Sequence, residues 1–156
     1  MTKNTKVNAA ILIIGNEILS GRTQDTNTGT IALWLNSIGV KVQEVRVIPD
    51  IEKTIIHTVN ELRKINNYVF TTGGIGPTHD DITAESVSKA FKIDYEIHKE
   101  AFKILETYYK TGEFNKGRQK MVWMPKDAKL ILNPTSGAPG FYVQNVFCLP
   151  GVPSIL

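Results

Sequence analysis

An unbroken apolar run from Ala9 to Ile14 is the first strong pattern in the chain. Such a run is typical of a strand that is buried on both faces, as the central strands of parallel sheets are. Apolar residues then recur at helical spacing from Asn27 to Ile38, and either Asn27 or Thr28 can cap that helix. Looser alternation from Lys41 to Ile48 predicts a second strand, nearer the edge of the sheet.

The alternation of helix and strand patterns continues through the middle of the chain. Helical spacing from Ile51 to Lys64 leads into a short apolar strand, Tyr68 to Thr72, which runs directly into a glycine-rich loop. After that loop, Thr83 can cap a helix that reaches Phe91, and another helical pattern ends before Gly112. Because strands alternate with helices, the sequence predicts an α/β fold, a three-layer α/β/α sandwich with a mainly parallel sheet.

The pattern changes after the fourth predicted helix. Residues 115–121 are polar and fit either a short helix or a mobile loop. The segment from Lys129 to Leu132 predicts a further strand, and Gly140 to Gln144 with Val146 to Leu149 predicts a hairpin with a tight turn. A hairpin introduces antiparallel pairing, so we expect a mixed sheet.

The length of the chain suits a single domain. Its 156 residues, 42% of them apolar, are enough to bury one core and too few for two ordinary domains. Pro153 is typical of the first residue of a helix that the sequence does not complete. We therefore expect one domain over residues 1–156 that is cut short at its C-terminal end.

Charge and cysteine content limit the partners and the compartment. A net charge of +3 is too small to indicate nucleic acid or an anionic membrane as a partner, while a small anionic ligand is easily accommodated. The one cysteine, Cys148, cannot form an internal disulfide, which is typical of a reducing compartment. No apolar stretch has the length of a signal peptide or a membrane span. These features predict a cytoplasmic protein.

The glycine loop, residues 73–83, reads Gly-Gly-Ile-Gly-Pro-Thr-His-Asp-Asp-Ile-Thr and joins a strand to a helix. That arrangement points backbone N–H groups and a helix N-terminus at an anion, and Gly73, Gly74 and Gly76 let a phosphate approach the backbone closely. The loop matches neither the dinucleotide-binding fingerprint nor the Walker loop. An isolated Gly-Gly-x-Gly is equally compatible with a tight turn that binds no ligand.

Carboxylates lie at several positions that should face this loop. Asp80 and Asp81 lie within it, and two adjacent acids repel bound phosphates unless a divalent cation such as Mg²⁺ lies between them. Asp50 follows the second strand and should open onto the same edge of the sheet, as should Glu17 and Asp25. Each of these carboxylates also suits the cap of a nearby helix, so a purely structural role stays open.

Six short segments together match a known family. They are Gly15 to Gly21, Asp25 to Asn27, Asp50, Gly73 to Thr83, Asn133 with Gly137 to Gly140, and Pro150 to Pro153. In these segments, which extend over nearly the whole chain, the sequence resembles the molybdopterin-binding domain superfamily, and within it the N-terminal domain of the CinA competence/damage-inducible proteins. The form Gly-Gly-x-Gly-Pro-Thr-x-Asp-Asp is characteristic of that branch. MogA, MoaB and gephyrin are similar at a greater distance.

The resemblance implies a pocket for a phosphate-bearing pterin, such as molybdopterin, or for a nucleotide. It also implies that Asp50 and Asp81 hold magnesium and take part in catalysis, and we extend this role to Asp80 beside them. Position 16 is asparagine where the family usually has aspartate. The positions expected to bind the ligand are Gly15, Glu17, Asp25, Asn27, Gly73, Gly74, Gly76, Pro77, Thr78, Thr83, Asn133, Gly137, Ala138, Pro139, Gly140, Pro150, Gly151 and Pro153.

Three functions fit these residues. The first, which the resemblance to the CinA branch implies, is metal-dependent hydrolysis of a nucleotide pyrophosphate such as ADP-ribose. The second is adenylyl transfer from ATP to a pterin phosphate, as in molybdenum cofactor biosynthesis, and the third is a binding module without catalysis. Relatives form homo-oligomers, and we expect the same here. Asp80, present in the CinA-like form of the loop, favours hydrolysis.

Overall fold

The computed structural model describes residues 6–151, which form one six-stranded sheet with helices on both faces and a separate two-stranded ribbon. The strands are β1 (Asn8–Ile14), β2 (Lys41–Ile48), β3 (Tyr68–Thr72), β4 (Tyr95–Ile97), β5 (Trp123–Pro125), β6 (Lys129–Ile131), β7 (Gly140–Val143) and β8 (Val146–Leu149). The helices are α1 (Asn16–Leu19), α2 (Asn27–Ser37), α3 (Glu52–Ile65), α4 (Thr83–Phe91), α5 (Lys99–Tyr108) and α6 (Lys116–Gln119), with a 3₁₀ turn at Lys120–Val122. Within residues 6–151 no helix has the length and apolar character needed to cross a membrane.

The order of strands in the main sheet is β2-β1-β3-β8-β7-β6. The first four strands in this order are parallel, whereas β7 runs antiparallel to both of its neighbours. The predicted mixed, mainly parallel sheet is thus confirmed, and β2 lies at its edge as expected. Because β1, β2, β3 and β8 are parallel, their carboxyl ends share one edge of the sheet, where open α/β sheets bind their ligands.

The side chains of β1 show why the fold has three layers. Alternate residues of this strand point to opposite faces, and both faces are apolar, so each needs its own cover. Ala9, Ile11 and Ile13 pack with α2, while Ala10, Leu12 and Ile14 pack in a second core with α3, α4 and α5. The three-layer α/β/α sandwich is confirmed.

The lone cysteine belongs to the second of these cores. Cys148 lies on β8, pairs in register with Thr71 of β3 and Phe141 of β7, and is fully buried. Burial raises the pKa of its thiol to about 12. The side chain therefore acts as a small apolar group of the core.

The sequence analysis named the wrong residue as the cap of α2. Neither the Asn27 nor the Thr28 side chain caps the helix. The Asp25 carboxylate caps it, since its Oδ1 accepts hydrogen bonds from the backbone N–H groups of Asn27 and Thr28 at 3.0 and 3.2 Å. The Asn27 side chain donates instead to the carbonyl oxygen of Gly151 at 2.9 Å. The capping role left open for Asp25 is correct, and Asn27 is free to join α2 to the end of β8.

Two further capping predictions are also wrong. Ile51 occupies the cap position of α3, so Asp50 does not cap that helix. Ile82 occupies the cap position of α4, and Thr83 is already the first helical residue. The residues 115–121, for which two alternatives were open, form α6 and the start of the 3₁₀ turn. The sequence analysis did not predict the short elements α1, β4 and β5, although it did predict the equally short strands β6, β7 and β8.

Thr83 is buried beneath the glycine loop and fastens it to α4. Its Oγ1 donates a hydrogen bond to the carbonyl oxygen of Gly73 at 2.9 Å, and its backbone N–H donates to the carbonyl oxygen of Gly74 at 2.9 Å. The residue is 0% exposed, so water cannot replace either bond. One threonine thus holds two consecutive carbonyl groups of the loop.

Thr83→Val tests this connection because it keeps the shape of the side chain and removes only the hydroxyl donor. We expect the free energy of unfolding to fall by about 1–3 kcal/mol, since the buried Gly73 carbonyl loses its partner. The melting temperature should then fall by roughly 3–9 °C, which calorimetry or circular dichroism can measure.

Thr107→Val is the matched control. The Thr107 hydroxyl also donates to a carbonyl oxygen, that of Lys103 at 2.9 Å, but it does so at the exposed surface of α5. We expect a change within about 0.5 kcal/mol for this variant. Equal melting temperatures for the two variants would contradict a special role for the Thr83 hydroxyl.

Candidate functional site

The glycine loop lies between the end of β3 and the start of α4, as predicted, and borders a cavity of about 550 Å³. That volume is in the range of small-molecule sites in proteins. We call it the loop cavity; its lining consists of Glu17, Thr23, residues 73–77, Asp81, Tyr109, Arg118, Met121, Ser136, Ala138, Pro139, Pro150 and Gly151. The loop therefore faces an opening of ligand size.

Space requires glycine at two positions of the loop. A side chain at residue 73 would place its Cβ 2.1 Å from the carbonyl oxygen of Ile14, and one at residue 74 would place it 2.0 Å from Oγ1 of Thr83. Gly73 and Gly74 also have φ angles of 92° and 75°, which L side chains disfavour. The ends of β1 and β3 and the start of α4 thus meet so closely that only bare backbone fits.

The backbone N–H groups of the loop give the cavity its anion-binding character. Those of Gly74, Ile75 and Gly76 donate to no protein acceptor within residues 6–151, although all three residues line the cavity. The preceding N–H group, that of Gly73, donates a hydrogen bond to the carbonyl oxygen of Leu149 at 3.2 Å. Successive free N–H groups at the wall of a cavity suit a phosphate or another anion.

Asp81 fixes the second half of the loop. Its Oδ2 accepts hydrogen bonds from the backbone N–H and the hydroxyl of Thr78, both at 2.8 Å, and its own N–H donates to the carbonyl oxygen of Thr78 at 3.1 Å. Gly76 lies against the same carboxylate, because a Cβ there would be 2.9 Å from Oδ2. These bonds hold Asp81 at the cavity wall through one oxygen and leave Oδ1 available to a ligand.

Asp50 and Asn16 connect the ends of β1 and β2 by a reciprocal pair of hydrogen bonds. The Asn16 N–H donates to Oδ2 of Asp50 at 3.0 Å, and the Asp50 N–H donates to Oδ1 of Asn16 at 3.3 Å. This pairing explains how asparagine serves at position 16. Its amide oxygen takes the Asp50 N–H without adding a negative charge to a region that already holds several.

Negative charge is concentrated around Asp50. Partial burial raises the pKa of Asp50, and the nearby carboxylates of Glu17, Asp81 and Asp80 raise it further, while the hydrogen bond from the Asn16 N–H lowers it. The fold thus brings together carboxylates from the ends of β1 and β2 and from the glycine loop. Mutual repulsion in such a group is relieved when a cation binds.

The donors in this region fit a magnesium ion that binds together with a phosphate ligand. Among residues 6–151, no group of three or more His, Cys, Asp or Glu side chains is arranged to hold a metal ion. Mg²⁺ does not need such a group, because it is usually held by one or two carboxylates, several waters and substrate phosphates. Carboxylate oxygens beside free N–H groups supply that combination. The assignment of Asp50, Asp80 and Asp81 as metal ligands stays a prediction.

Ten of the residues predicted to form the site line the loop cavity. They are Glu17, Gly73, Gly74, Gly76, Pro77, Asp81, Ala138, Pro139, Pro150 and Gly151. Asp25 and Asn27 line a small adjoining pocket of about 30 Å³ that shares Glu17 and Gly73 with the loop cavity. The segments that contain these twelve residues therefore meet at one edge of the sheet.

Three glycines that were predicted to bind the ligand pack against neighbouring residues and do not line the cavity. A Cβ at Gly15 would be 2.6 Å from Oε1 of Glu17, and one at Gly140 would be 2.6 Å from the carbonyl oxygen of Cys148. Gly137 lies equally close to the ring of Tyr108, and its φ is 74°. Gly137 and Gly140 exclude a side chain because ring or backbone atoms occupy the space, whereas at Gly15 the flexible Glu17 carboxylate could move aside.

The remaining predicted residues lie outside the lining. Thr78 binds Asp81, Thr83 lies beneath the loop, and Asp50 is held by Asn16. Asn133 lines a different pocket, with Pro134 and Leu149. Asp80 is 74% exposed, and its Oδ1 lies 3.1 Å from Nε2 of the exposed His79. Pro153 lies outside the described residues.

Four residues of the cavity lining, Thr23, Tyr109, Arg118 and Met121, lie outside the segments that the sequence indicated. Ile75 and Ser136 also line the cavity and lie within indicated segments, although neither was named as a site residue. Tyr109 continues the apolar pattern of α5 and could not be distinguished from a core residue. The only available signal for Arg118 was the presence of three cations in the polar segment 116–120.

Comparison with known sequences identifies the family. The model of a family described as probable molybdopterin binding domain matches residues 10–156 of the chain. The chain is also 38% identical, over 150 residues, to a CinA-like protein of Citrifermentans bemidjiense. That alignment covers 92% of this chain and 36% of the relative. With proteins of Caldivirga maquilingensis and Archaeoglobus fulgidus included, the chain spans 36 to 62% of the length of its relatives.

Solved structures support the same assignment. The crystal structure of the protein CinA from Thermoplasma acidophilum, whose function is unknown, matches with a TM-score of 0.89 at 34% identity and covers 98% of this chain and 92% of that one. The molybdopterin biosynthesis enzyme MoaB of Thermus thermophilus matches with a TM-score of 0.63 at 18% identity, covering 95% and 83% of the two chains, and shares the fold alone. This chain therefore belongs to the molybdopterin-binding domain family, in its CinA-like branch.

Proposed function

We propose that the domain hydrolyses a nucleotide pyrophosphate, of which ADP-ribose is the model substrate, with the help of a divalent metal ion. The observation that carries this proposal is the meeting of free N–H groups and carboxylates at one cavity. Gly74, Ile75 and Gly76 offer N–H donors, and Glu17 and Asp81 line the same cavity, with Asp50 and Asp80 close by. N–H donors attract phosphate, whereas carboxylates without a cation repel it.

The glycine loop binds and orients the phosphate in this proposal. Its backbone is held by Thr83 below and by Asp81 at the side, so the donors are in place before the ligand arrives. Donors fixed in advance stabilise developing charge without reorganisation during the reaction. The Ile75, Met121 and Pro139 side chains line the same cavity and offer apolar surface to the nucleotide base.

Water attacks one phosphorus of the pyrophosphate, the bridging P–O bond breaks, and ADP-ribose gives AMP and ribose 5-phosphate. A bound Mg²⁺ would supply neutralisation of the charge that develops on the phosphate oxygens. The free Oδ1 of Asp81 and the carboxylates of Asp50 and Asp80 would hold this ion, together with phosphate oxygens of the substrate. Glu17, in α1 directly after β1, lines the cavity and can accept a proton from the attacking water.

Incubation with ADP-ribose and a series of divalent ions, followed by mass spectrometry, tests the proposal. AMP and ribose 5-phosphate are the expected products. If instead ATP and molybdopterin give an adenylylated pterin while ADP-ribose persists, the domain is an adenylyltransferase. Ligand binding without any product would leave the third function, a binding module.

Asp81→Asn should lower metal-dependent turnover of ADP-ribose by at least about 10² to 10³-fold, because one preorganised charge at the reacting phosphate is lost. The amide oxygen of asparagine can still accept both hydrogen bonds from Thr78, so the melting temperature should barely change. Product formation and thermal melts are measured on the same preparations. Asp94→Asn, which removes an exposed carboxylate outside the cavity, should leave both quantities unchanged. Equal turnover by wild type and Asp81→Asn would reduce Asp81 to a structural residue.

Asp50→Asn should raise the melting temperature of the metal-free protein at neutral pH. Because the pKa of Asp50 is raised in the folded state, its ionised form costs stability. This cost is absent below the ordinary pKa of 3.8, increases as the pH rises, and is complete above the raised folded-state pKa. The stabilisation by asparagine should therefore be present at pH 7 and shrink towards about pH 4. A lower melting temperature for the variant at pH 7 would contradict this reading of the site.

A further inference from the structure

Arg118 brings a positive charge to a cavity that otherwise carries carboxylates. It is the one Lys or Arg side chain that lines the loop cavity within the described part of the chain. Its neighbours Lys116 and Lys120 do not line this cavity: Lys116 is exposed, and Lys120 Nζ donates to the carbonyl oxygen of Thr78. Lys120 thus contacts the glycine loop outside this cavity, and Arg118 is the cation that the cavity itself presents to a ligand.

The side chain of Arg118 is held in place before any ligand binds. Its Nη1 donates to the carbonyl oxygen of Glu113 at 2.7 Å, and its Cζ lies 4.5 Å from the centre of the Tyr109 ring. Tyr109 in turn stacks on Phe114, with ring centres 6.0 Å apart and planes 10° apart. An arginine ordered in this way loses little conformational entropy when it binds an anion.

Arg118 has no carboxylate partner among residues 6–151. Arg46 shows the usual alternative, since its guanidinium pairs with Glu44 at 2.9 Å and Glu61 at 2.8 Å. Glu17 and Asp81 line the same cavity as Arg118, yet neither is paired with it. A half-buried guanidinium with unused donors at a cavity wall is suited to an anion that the ligand brings.

We propose that Arg118 binds the second phosphate of a diphosphate ligand, while the glycine loop binds the first. This proposal rests on the phosphate position assigned to the glycine loop in the proposed function, and it makes Arg118 the residue that distinguishes a diphosphate from a monophosphate. The loop N–H groups can satisfy one phosphate. A planar guanidinium on another wall adds the donors that a monophosphate would leave unused.

Calorimetric titration with two nucleotides in the presence of Mg²⁺ tests the selection. The α,β-methylene analogue of ADP carries two phosphoryl groups and resists hydrolysis, whereas AMP carries one. Arg118→Met keeps a long side chain over Tyr109 and removes the charge. We expect it to weaken binding of the ADP analogue by about 10- to 100-fold, the usual contribution of a hydrogen bond to a charged group. AMP binding should change less than about 2-fold, because no contact to its single phosphate is lost.

Two further variants make the result specific. Lys116→Met removes a charge from the same short helix outside the cavity, and it should leave the affinity for both nucleotides unchanged. Arg118→Lys keeps the charge without the planar fork, and it should weaken binding of the ADP analogue by less than Arg118→Met does. If Arg118→Met lowers the melting temperature, the affinity of Arg118→Lys for the ADP analogue decides whether Arg118 selects diphosphates.

The outcomes separate this proposal from the hydrolase proposal. Equal losses for AMP and the ADP analogue in Arg118→Met, or the same loss in Lys116→Met, would overturn a role in selecting diphosphates. So would failure of the wild type to bind the ADP analogue more tightly than AMP. If the wild type prefers the analogue through Arg118 but cleaves no pyrophosphate, the selection stands and the hydrolase proposal fails.

Discussion

The close contact between Gly73 and the carbonyl group of Ile14 determines how the rest of the site is built. With 2.1 Å between that oxygen and the position of a Cβ, the strands β1 and β3 can end side by side only if residue 73 is glycine. Gly151 lies on the other side, where a Cβ would be 3.0 Å from the Cα of Gly73. Three parallel strands thus converge on one residue without a side chain. The turn that follows has to leave the sheet at this point, and its residues with free N–H groups line the cavity.

A second constraint is the concentration of carboxylates next to those N–H groups. Burial raises the pKa of Asp50 most, and the carboxylates of Glu17, Asp81 and Asp80 raise it further, so its ionised form is unfavourable in the folded chain. Sites that bind ligands often contain such local costs, which the rest of the fold offsets. Here the two cores on either face of β1 provide the stability. Asn16 limits the cost, because it positions Asp50 with a neutral amide.

The sequence was sufficient to predict the architecture and the glycine loop. Long periodic segments such as Ala9 to Ile14 carry a strong signal, because each residue must match a buried face. The cap of α2 was misassigned because Asp25 and Asn27 are both good capping residues, and the hydrogen bond from Asn27 to Gly151 exists only in the folded chain. The wall that contains Tyr109 and Arg118 could not be predicted either. Its residues reach the cavity only because of the tertiary fold, and their spacing in the sequence does not indicate that they line a cavity.

Because Cys148 is buried, the reactivity of its thiol can be used to follow local opening of the sheet. The thiol lies on the strand that leads into Pro150 and Gly151, both of which line the loop cavity. A thiol with a pKa near 12 and no exposed surface reacts with an alkylating reagent only when the sheet opens around it. The rate of alkylation therefore measures how often β8 separates from β3 and β7. A ligand that bridges the cavity walls would slow that rate, and its occupancy could be read from a single chemical label.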